Sequence, residues 1–298
     1  MAIGDNMIGL TRPEVEVWSP RVVVVLGMNP SLFTGPGTNT FLVGTGPRRI
    51  LVDTGQGVEA YLPVLERAME TAGCEGIEQI LLTHGHVDHI GGLAQIRARF
   101  GPIPARKLFG PGEDTAAHPE LRPLADGDRV ETEGATLRAV HTPGHAPDHL
   151  CFVLEEEEAL FSGDNVLGVG TTVIPSEGGD LALYLRSLTR LIGEAPSRIY
   201  PAHGPRIDDG VARIRQYLDH RMERERQILG ALAHGPAPIP ELVARIYVDV
   251  PRALHAAAAH SVAAHLTKLE REGRVRRLRP GPPLETTWER AEKSAGAP

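Results

Sequence analysis

Residues 84 to 89, His84-Gly85-His86-Val87-Asp88-His89, place three imidazoles and a carboxylate within six positions, directly after Thr83 and the apolar run Ile80-Leu81-Leu82. Neutral imidazole and carboxylate oxygen are donors that suit zinc, and a zinc ion with an open coordination position makes a reactive water. At this spacing His84 and His86 project from one turn toward one ion, while Asp88 and His89, one step further on, face a second. Four such groups this close together are hard to explain as a solvated loop, so the segment reads as a metal-binding loop.

Two ions need more ligands than one loop holds, and three single residues supply them. His145 lies in His141-Thr142-Pro143-Gly144-His145, Asp164 in Phe161-Ser162-Gly163-Asp164-Asn165, and His203 in Tyr200-Pro201-Ala202-His203-Gly204. Taken singly, an Asp in Ser-Gly-Asp or a His after Pro-Gly is an ordinary turn residue. Each follows a run of strand character, however, so all three can gather on one edge of a sheet beside the loop. The expected sets are His84, His86 and His145 for one ion and Asp88, His89 and His203 for the other. Asp164 bridges them, because two cations held roughly 3.5–4 Å apart need shared negative charge.

The elements that must position these residues follow from periodicity and punctuation. Strand-like runs over residues 22–27, 39–43 and 49–53, separated by Gly and Pro, read as an antiparallel meander. A helix is expected over 58–72, where Tyr61, Leu62, Val64, Leu65 and Ala68 form one apolar face. The metal loop then lies between a strand over 79–83 and a helix over 90–99, with Gly91-Gly92 allowing a close backbone approach at that helix start. Further strands are expected over 129–141, 150–154, 159–162 and 198–200, with a helix over 181–192. Residues 211–233 have a helical period, and Gly235-Pro236-Ala237-Pro238 reads as a linker. The chain thus divides into a domain over 1–234 and a smaller one over 235–298. In the latter, helices over 240–247 and 253–272 and a basic hairpin strand over 273–279 suggest a winged helix.

At 298 residues and 41% hydrophobic content the chain is an ordinary globular protein with room for a full core and an appendage. Its longest strongly apolar stretch, Val22 to Leu26, is strand-sized, so neither a membrane span nor an export signal is expected and the location should be cytoplasmic. Cys74 and Cys151 have no ligand-like spacing and read as small apolar residues. Residues 241–298 hold ten Lys and Arg against seven Asp and Glu, a net +3, so the remainder carries −10 of the total −7. Arg274, Arg276, Arg277 and Arg279 could neutralise phosphates, or lie on the solvated face of a half-buried hairpin that serves as a lid.

The metal loop, the later Thr-Pro-Gly-His, the Ser-Gly-Asp and the final Ala-His-Gly resemble the successive motifs of the metallo-β-lactamase superfamily. The resemblance implies an α/β fold, an αββα sandwich carrying a dinuclear centre on one rim, followed here by the winged-helix-like domain. Asp53, in Val52-Asp53-Thr54-Gly55, matches the early Asp that orients the metal loop without binding metal, a role compatible with a strand-ending turn. Gly37 to Gly44, Gly163 to Gly168 with Gly170-Thr171-Thr172, and Leu266 to Gly273 further resemble the β-lactamase-like protein 2 branch, over residues 21 to 278. That likeness implies two Zn²⁺, with iron or manganese able to take the same ligands, and an endoribonuclease acting on single-stranded RNA. At the metal loop Gly85 and Val87 stand where the animal enzyme has Trp and Arg.

Two cations bracketing a water lower its pKa from about 15.7 to about 7, so no Ser or Cys nucleophile is required. Asp88 is expected in the catalytic group with Asp53 and His149, the last as a donor behind the metals or a plain turn histidine. Asn165, Thr171 and Thr172 are the candidate substrate contacts. The enzymatic alternative is a glyoxalase II-like thioesterase or lactonase with a small acyl substrate. A non-catalytic metal-bearing module that binds nucleic acid or protein is the other.

Overall fold

The computed structural model describes residues 7–113, 115–175 and 177–291. Its first half is a meander, β1 (Val15–Ser19), β2 (Val22–Leu26), β3 (Asn39–Val43) and β4 (Arg48–Val52), followed by α1 (Tyr61–Ala72) and β5 (Gly76–Leu81). The metal loop opens into a short helix α2 (Val87–Ile90) and then α3 (Leu93–Phe100), and β6 (Ala105–Lys107) and β7 (Leu121–Pro123) complete a seven-stranded sheet in the order β1 to β7. The meander is antiparallel as expected, whereas β4 through β7 run parallel.

A second sheet follows from β8 (Arg129–Thr132), β9 (Ala135–His141), β10 (Leu150–Leu154), β11 (Ala159–Gly163), helix α4 (Leu181–Gly193) and β12 (Arg198–Pro201), in the order β12-β11-β10-β9-β8. The single strand expected over 129–141 is therefore a hairpin, because Gly134 takes a positive φ and folds β9 back on β8.

Strand residues alternate between two interiors, which explains runs that are apolar at every position. Val24, Phe41 and Val52 meet Leu137, Phe152 and Phe161 between the sheets. Their neighbours Val23, Leu42 and Leu51 face α1 and α3. On the second sheet Val140, Leu160 and Ile199 pack against α4 and the long helix α5 (Gly210–Leu232). The result is the αββα sandwich.

The expected helix over 90–99 is broken at Gly91-Gly92. A Cβ on Gly92 would lie 2.0 Å from the Thr54 carbonyl oxygen, so the chain passes too close to the turn after β4 for any other residue and the helix restarts at Leu93. The Gly-Pro segment after α5 is also more than a linker. Ala237–Pro238 forms β13 and pairs with β15 (Thr287–Arg290), which in turn pairs with β14 (Val275–Arg277). With α6 (Ile239–Ile246) and α7 (His255–Arg271), this three-stranded sheet makes the winged helix around a core that includes Trp288, Leu242 and Leu266. That core also takes Ile228 and Leu232 from α5, so one helix serves both domains. Ion pairs Arg271–Asp180 (2.6 Å) and Lys268–Glu225 (2.6 Å) tie α7 to α4 and α5.

Candidate metal centre

The expected ligands come together on one rim because β4, β5, β9, β11 and β12 all end there. His84 follows β5, His145 follows β9, Asp164 follows β11 and His203 follows β12. His84 Nε2 lies 2.9 Å from His86 Nδ1, which is 3.1 Å from His145 Nε2, and Asp164 Oδ2 is 3.4 Å from the last. On the other side Asp88 Oδ2 is 3.4 Å from both His89 Nε2 and His203 Nε2. Asp164 Oδ1 is 3.4 Å from His89 Nε2 and 3.1 Å from His203 Nε2. One oxygen of Asp164 thus faces each set, the placement a bridging carboxylate requires.

These separations fit metal ions. Ligands about 2.0–2.1 Å from a tetrahedral zinc stand roughly 3.3 Å apart. His89 Nε2 and Asp164 Oδ1 are buried and accept or donate no hydrogen bond, so the polar atoms left over are those an ion would take.

Asp53 arranges the loop without joining either set. It adopts φ 59°, an uncommon conformation for a residue with a Cβ, and its carboxylate accepts from the Thr83 N–H (2.8 Å) and hydroxyl and from His89 Nδ1 (2.7 Å). Holding the proton on Nδ1 turns Nε2 of His89 to the metals. His149 acts similarly on Asp164. Its Nε2 accepts from the Asp164 N–H (3.1 Å), so its proton sits on Nδ1 and is donated to the Thr142 hydroxyl (2.9 Å). Gly163, at φ 49°, permits this contact, since a Cβ there would be 2.6 Å from that Nε2.

Charge on the rim is asymmetric. Burial pushes His84, His145 and His149 below the usual histidine range, so they are neutral donors. Burial disfavours charge on His89 and His203 as well, but Asp164 and its neighbouring carboxylates outweigh it, holding His89 well above its ordinary value and His203 at about 9. Burial alone would raise Asp88 and Asp164, yet His89 and His203 hold both carboxyls below their usual range. Without metal, two imidazolium groups supply the positive charge that the carboxylates demand.

The rim opens on a cavity of about 540 Å³ whose lining includes His86, Asp88, His145, Asp164 and His203. Thr171 lines it, as does Thr172, which is buried with its hydroxyl 3.2 Å from His145 Nδ1. Asn165 does not reach the cavity. It is fully buried and its amide donates to the Thr142 carbonyl, bracing the turn behind the rim in place of contacting substrate. The basic hairpin is largely self-neutralised: Arg274 pairs with Glu225, Arg276 with Glu289 (2.6 Å) and Arg277 with Glu270 (2.7 Å). Both cysteines are buried free thiols that belong to neither ligand set, although Cys151 packs behind the rim against Thr142 and Asn165.

Residues 33–203 match the family described as Metallo-beta-lactamase superfamily, and residues 239–283 match the Beta-lactamase associated winged helix domain. The chain belongs to the metallo-β-lactamase superfamily. Within it, the chain is 40% identical over 279 residues to the Beta-lactamase-like protein 2 homolog of Drosophila melanogaster, covering 89% of this chain and 92% of that one. It is also 40% identical over 248 residues to an atrochrysone carboxyl ACP thioesterase of Aspergillus novofumigatus, covering 80% and 74%. A metallo-β-lactamase family protein from Thermus thermophilus superposes with a TM-score of 0.73 at 27% identity, covering 92% of this chain and all of that one. This metallo-β-lactamase superfamily member is accordingly a metal-dependent hydrolase, which removes the non-catalytic reading. Among the described residues, no helix is long and apolar enough to cross a membrane.

The reading of the sequence missed the cavity wall that α5 contributes beside the rim. His220, Arg221 and Arg224 of α5 line the same cavity, together with Phe33, Val87 and residues of the winged helix. A signal was present: Arg213, Tyr217, His220, Arg221 and Arg224 share one face of a helix, where a buried face is ordinarily apolar.

Proposed function

We propose that the protein is a dinuclear zinc hydrolase that cleaves phosphodiester bonds in single-stranded RNA, using His84, His86 and His145 for one ion, Asp88, His89 and His203 for the other, and Asp164 between them. The observation that carries this reading is the pair of donor sets meeting at the two oxygens of Asp164, open on one side to the cavity. Bound zinc lowers the pKa of water and polarises the oxygen under attack.

The chain's own residues do the rest. Asp53 keeps the Nδ1 proton on His89, and His149 holds the Asp164 backbone in place. Thr38 donates its hydroxyl to Asp88 Oδ2 (3.1 Å), leaving that carboxylate basic enough to bind metal but oriented by a neutral partner. The packed interior between the two sheets shields the rim from behind, and the cavity reaches it from the other side.

A second reading, thioester hydrolysis, is favoured by the thioesterase relatives and by apolar cavity residues such as Phe33, Val87 and Leu254. The two are separated by offering labelled single-stranded RNA and S-lactoylglutathione to zinc-loaded protein, with the Asp88→Ala, His89→Ala double variant as the blank. RNA cleavage lost in the double variant is the expected result. Thioester turnover with intact RNA would move the protein to the acyl hydrolases.

A further inference from the structure

The cavity wall that α5 forms beside the metal rim has an unusual composition. Arg221 is 2% exposed; its Nη2 donates to the Thr172 carbonyl (2.5 Å) and its guanidinium lies 5.4 Å from the Tyr184 ring. Arg224 stacks on Tyr247 at 3.8 Å and donates to the Gln227 side chain (2.7 Å). Each guanidinium has five N–H donors, and the protein satisfies only part of them: Nε of both is buried with no partner.

Among the described residues, neither Arg221 nor Arg224 has a carboxylate within ion-pair reach, in contrast to the arginines of the hairpin. Outside the metal ligands, Asp249 is the one acidic residue lining the cavity; it is exposed and pairs with neither. A buried cation, Arg221, beside a half-buried one, Arg224, with no anion is costly unless a partner arrives to complete them. His220 stands beside them with a buried, unpartnered Nδ1, and burial followed by Arg221 and Arg224 pushes it down to about 4, so it is a neutral hydrogen-bonding group. His265 on α7, behind this wall, is likewise buried and neutral with both ring nitrogens unpartnered.

We propose that Arg221 and Arg224, with His220 beside them, form an oxyanion-binding subsite for a phosphate or carboxylate carried by the same substrate whose scissile bond lies on the metal rim. A guanidinium matches either group through two parallel N–H bonds, and the tyrosine rings hold both planes in position. The subsite rests on the hydrolase reading for its second half alone: the metal rim sets where the bond breaks, and the arginines set which molecules place a bond there. Because α5 and the winged helix line this wall together, the C-terminal domain acts in substrate selection through the cavity wall.

The test is calorimetric titration of zinc-loaded full-length protein with adenosine 5′-monophosphate and, separately, with succinate. Wild type is compared with Arg224→Gln, Arg221→Gln and the charge-keeping Arg224→Lys, with zinc content measured in each. Expected is a tenfold or larger loss of affinity for one probe in both Gln variants, partial recovery in Arg224→Lys, and unchanged zinc. Loss confined to the nucleotide assigns a phosphate, and loss confined to succinate a carboxylate. Affinity for both probes within twofold of wild type in the Gln variants, or loss only where zinc is lost too, would overturn the proposal. Hydrolysis of RNA or thioester by wild type with unaltered KM in the Gln variants would leave the hydrolase standing and the subsite refuted. Anion binding that depends on the arginines in a chain that hydrolyses neither would do the reverse.

Discussion

The metal rim and the arginine wall line one cavity, joined through Thr172, and solve burial of charge in opposite ways. On the rim, carboxylates and imidazoles alternate, so each buried charge has a counter-charge at 3.1–3.4 Å and the protonated histidines stand in for cations. On the wall, Arg221 and Arg224 are held by carbonyls and tyrosine faces with no acid among the described residues within ion-pair reach. A centre that binds cations presents a balanced set which a metal can replace; a surface that binds anions keeps its charge uncompensated. The contrast assigns chemistry to the rim and selection to the neighbouring wall.

The difference can be broken first at the rim. Removing two ligands of one set in the Asp88→Ala, His89→Ala variant is expected to lower hydrolysis by on the order of 10³-fold or more, measured under saturating zinc. Truncating Trp288 to Ala, fully buried in the winged-helix core, should cost about 3–5 kcal/mol in denaturant unfolding of that domain while leaving zinc content intact. If zinc were lost as well, the rim would depend on the C-terminal domain and the division of labour would fail. Asp53→Asn should weaken zinc binding by about 10–100-fold, read by competition with a chelator, because His89 Nδ1 loses its acceptor charge.

Acidity sharpens the same comparison. In metal-free protein His203 is held at about 9 by Asp164 against burial, above its ordinary 6.5. A raised value contributes stability that is fully present below about 6.5 and is lost as pH rises toward 9. Thermal unfolding of the apo chain should therefore fall across that window, and zinc uptake should release protons within it. The smallest effect belongs to the hairpin: Arg276→Ala, an exposed pair with Glu289, should change stability by about 0.5 kcal/mol or less.

The rim was legible because its chemistry is local: four ligands occupy one loop, and the rest fall at strand ends marked by Gly and Pro. The strand runs and the winged helix were legible for the same reason, since apolar runs, turn punctuation and helical period are read over a few residues, whereas the αββα sandwich came from the family resemblance. Boundaries went astray where a distant backbone decides, as at Gly92 against Thr54 and in the strand formed by Ala237–Pro238. The arginine wall escaped because its meaning lies in what is absent around it, and the neighbours of Arg221 and Arg224 come from Thr172, Tyr184 and Tyr247, far apart in sequence. Asn165 misled for the converse reason: adjacency to a ligand in the chain placed it behind the rim, bonded to Thr142.

The most direct test of the two-ion centre is stepwise zinc titration of metal-free protein with hydrolysis of single-stranded RNA followed at each addition. Cleavage that stays low through the first equivalent, rises with the second and is missing at any zinc level in the Asp88→Ala, His89→Ala variant is the predicted result. Full cleavage at one equivalent, or cleavage by the double variant, would contradict it.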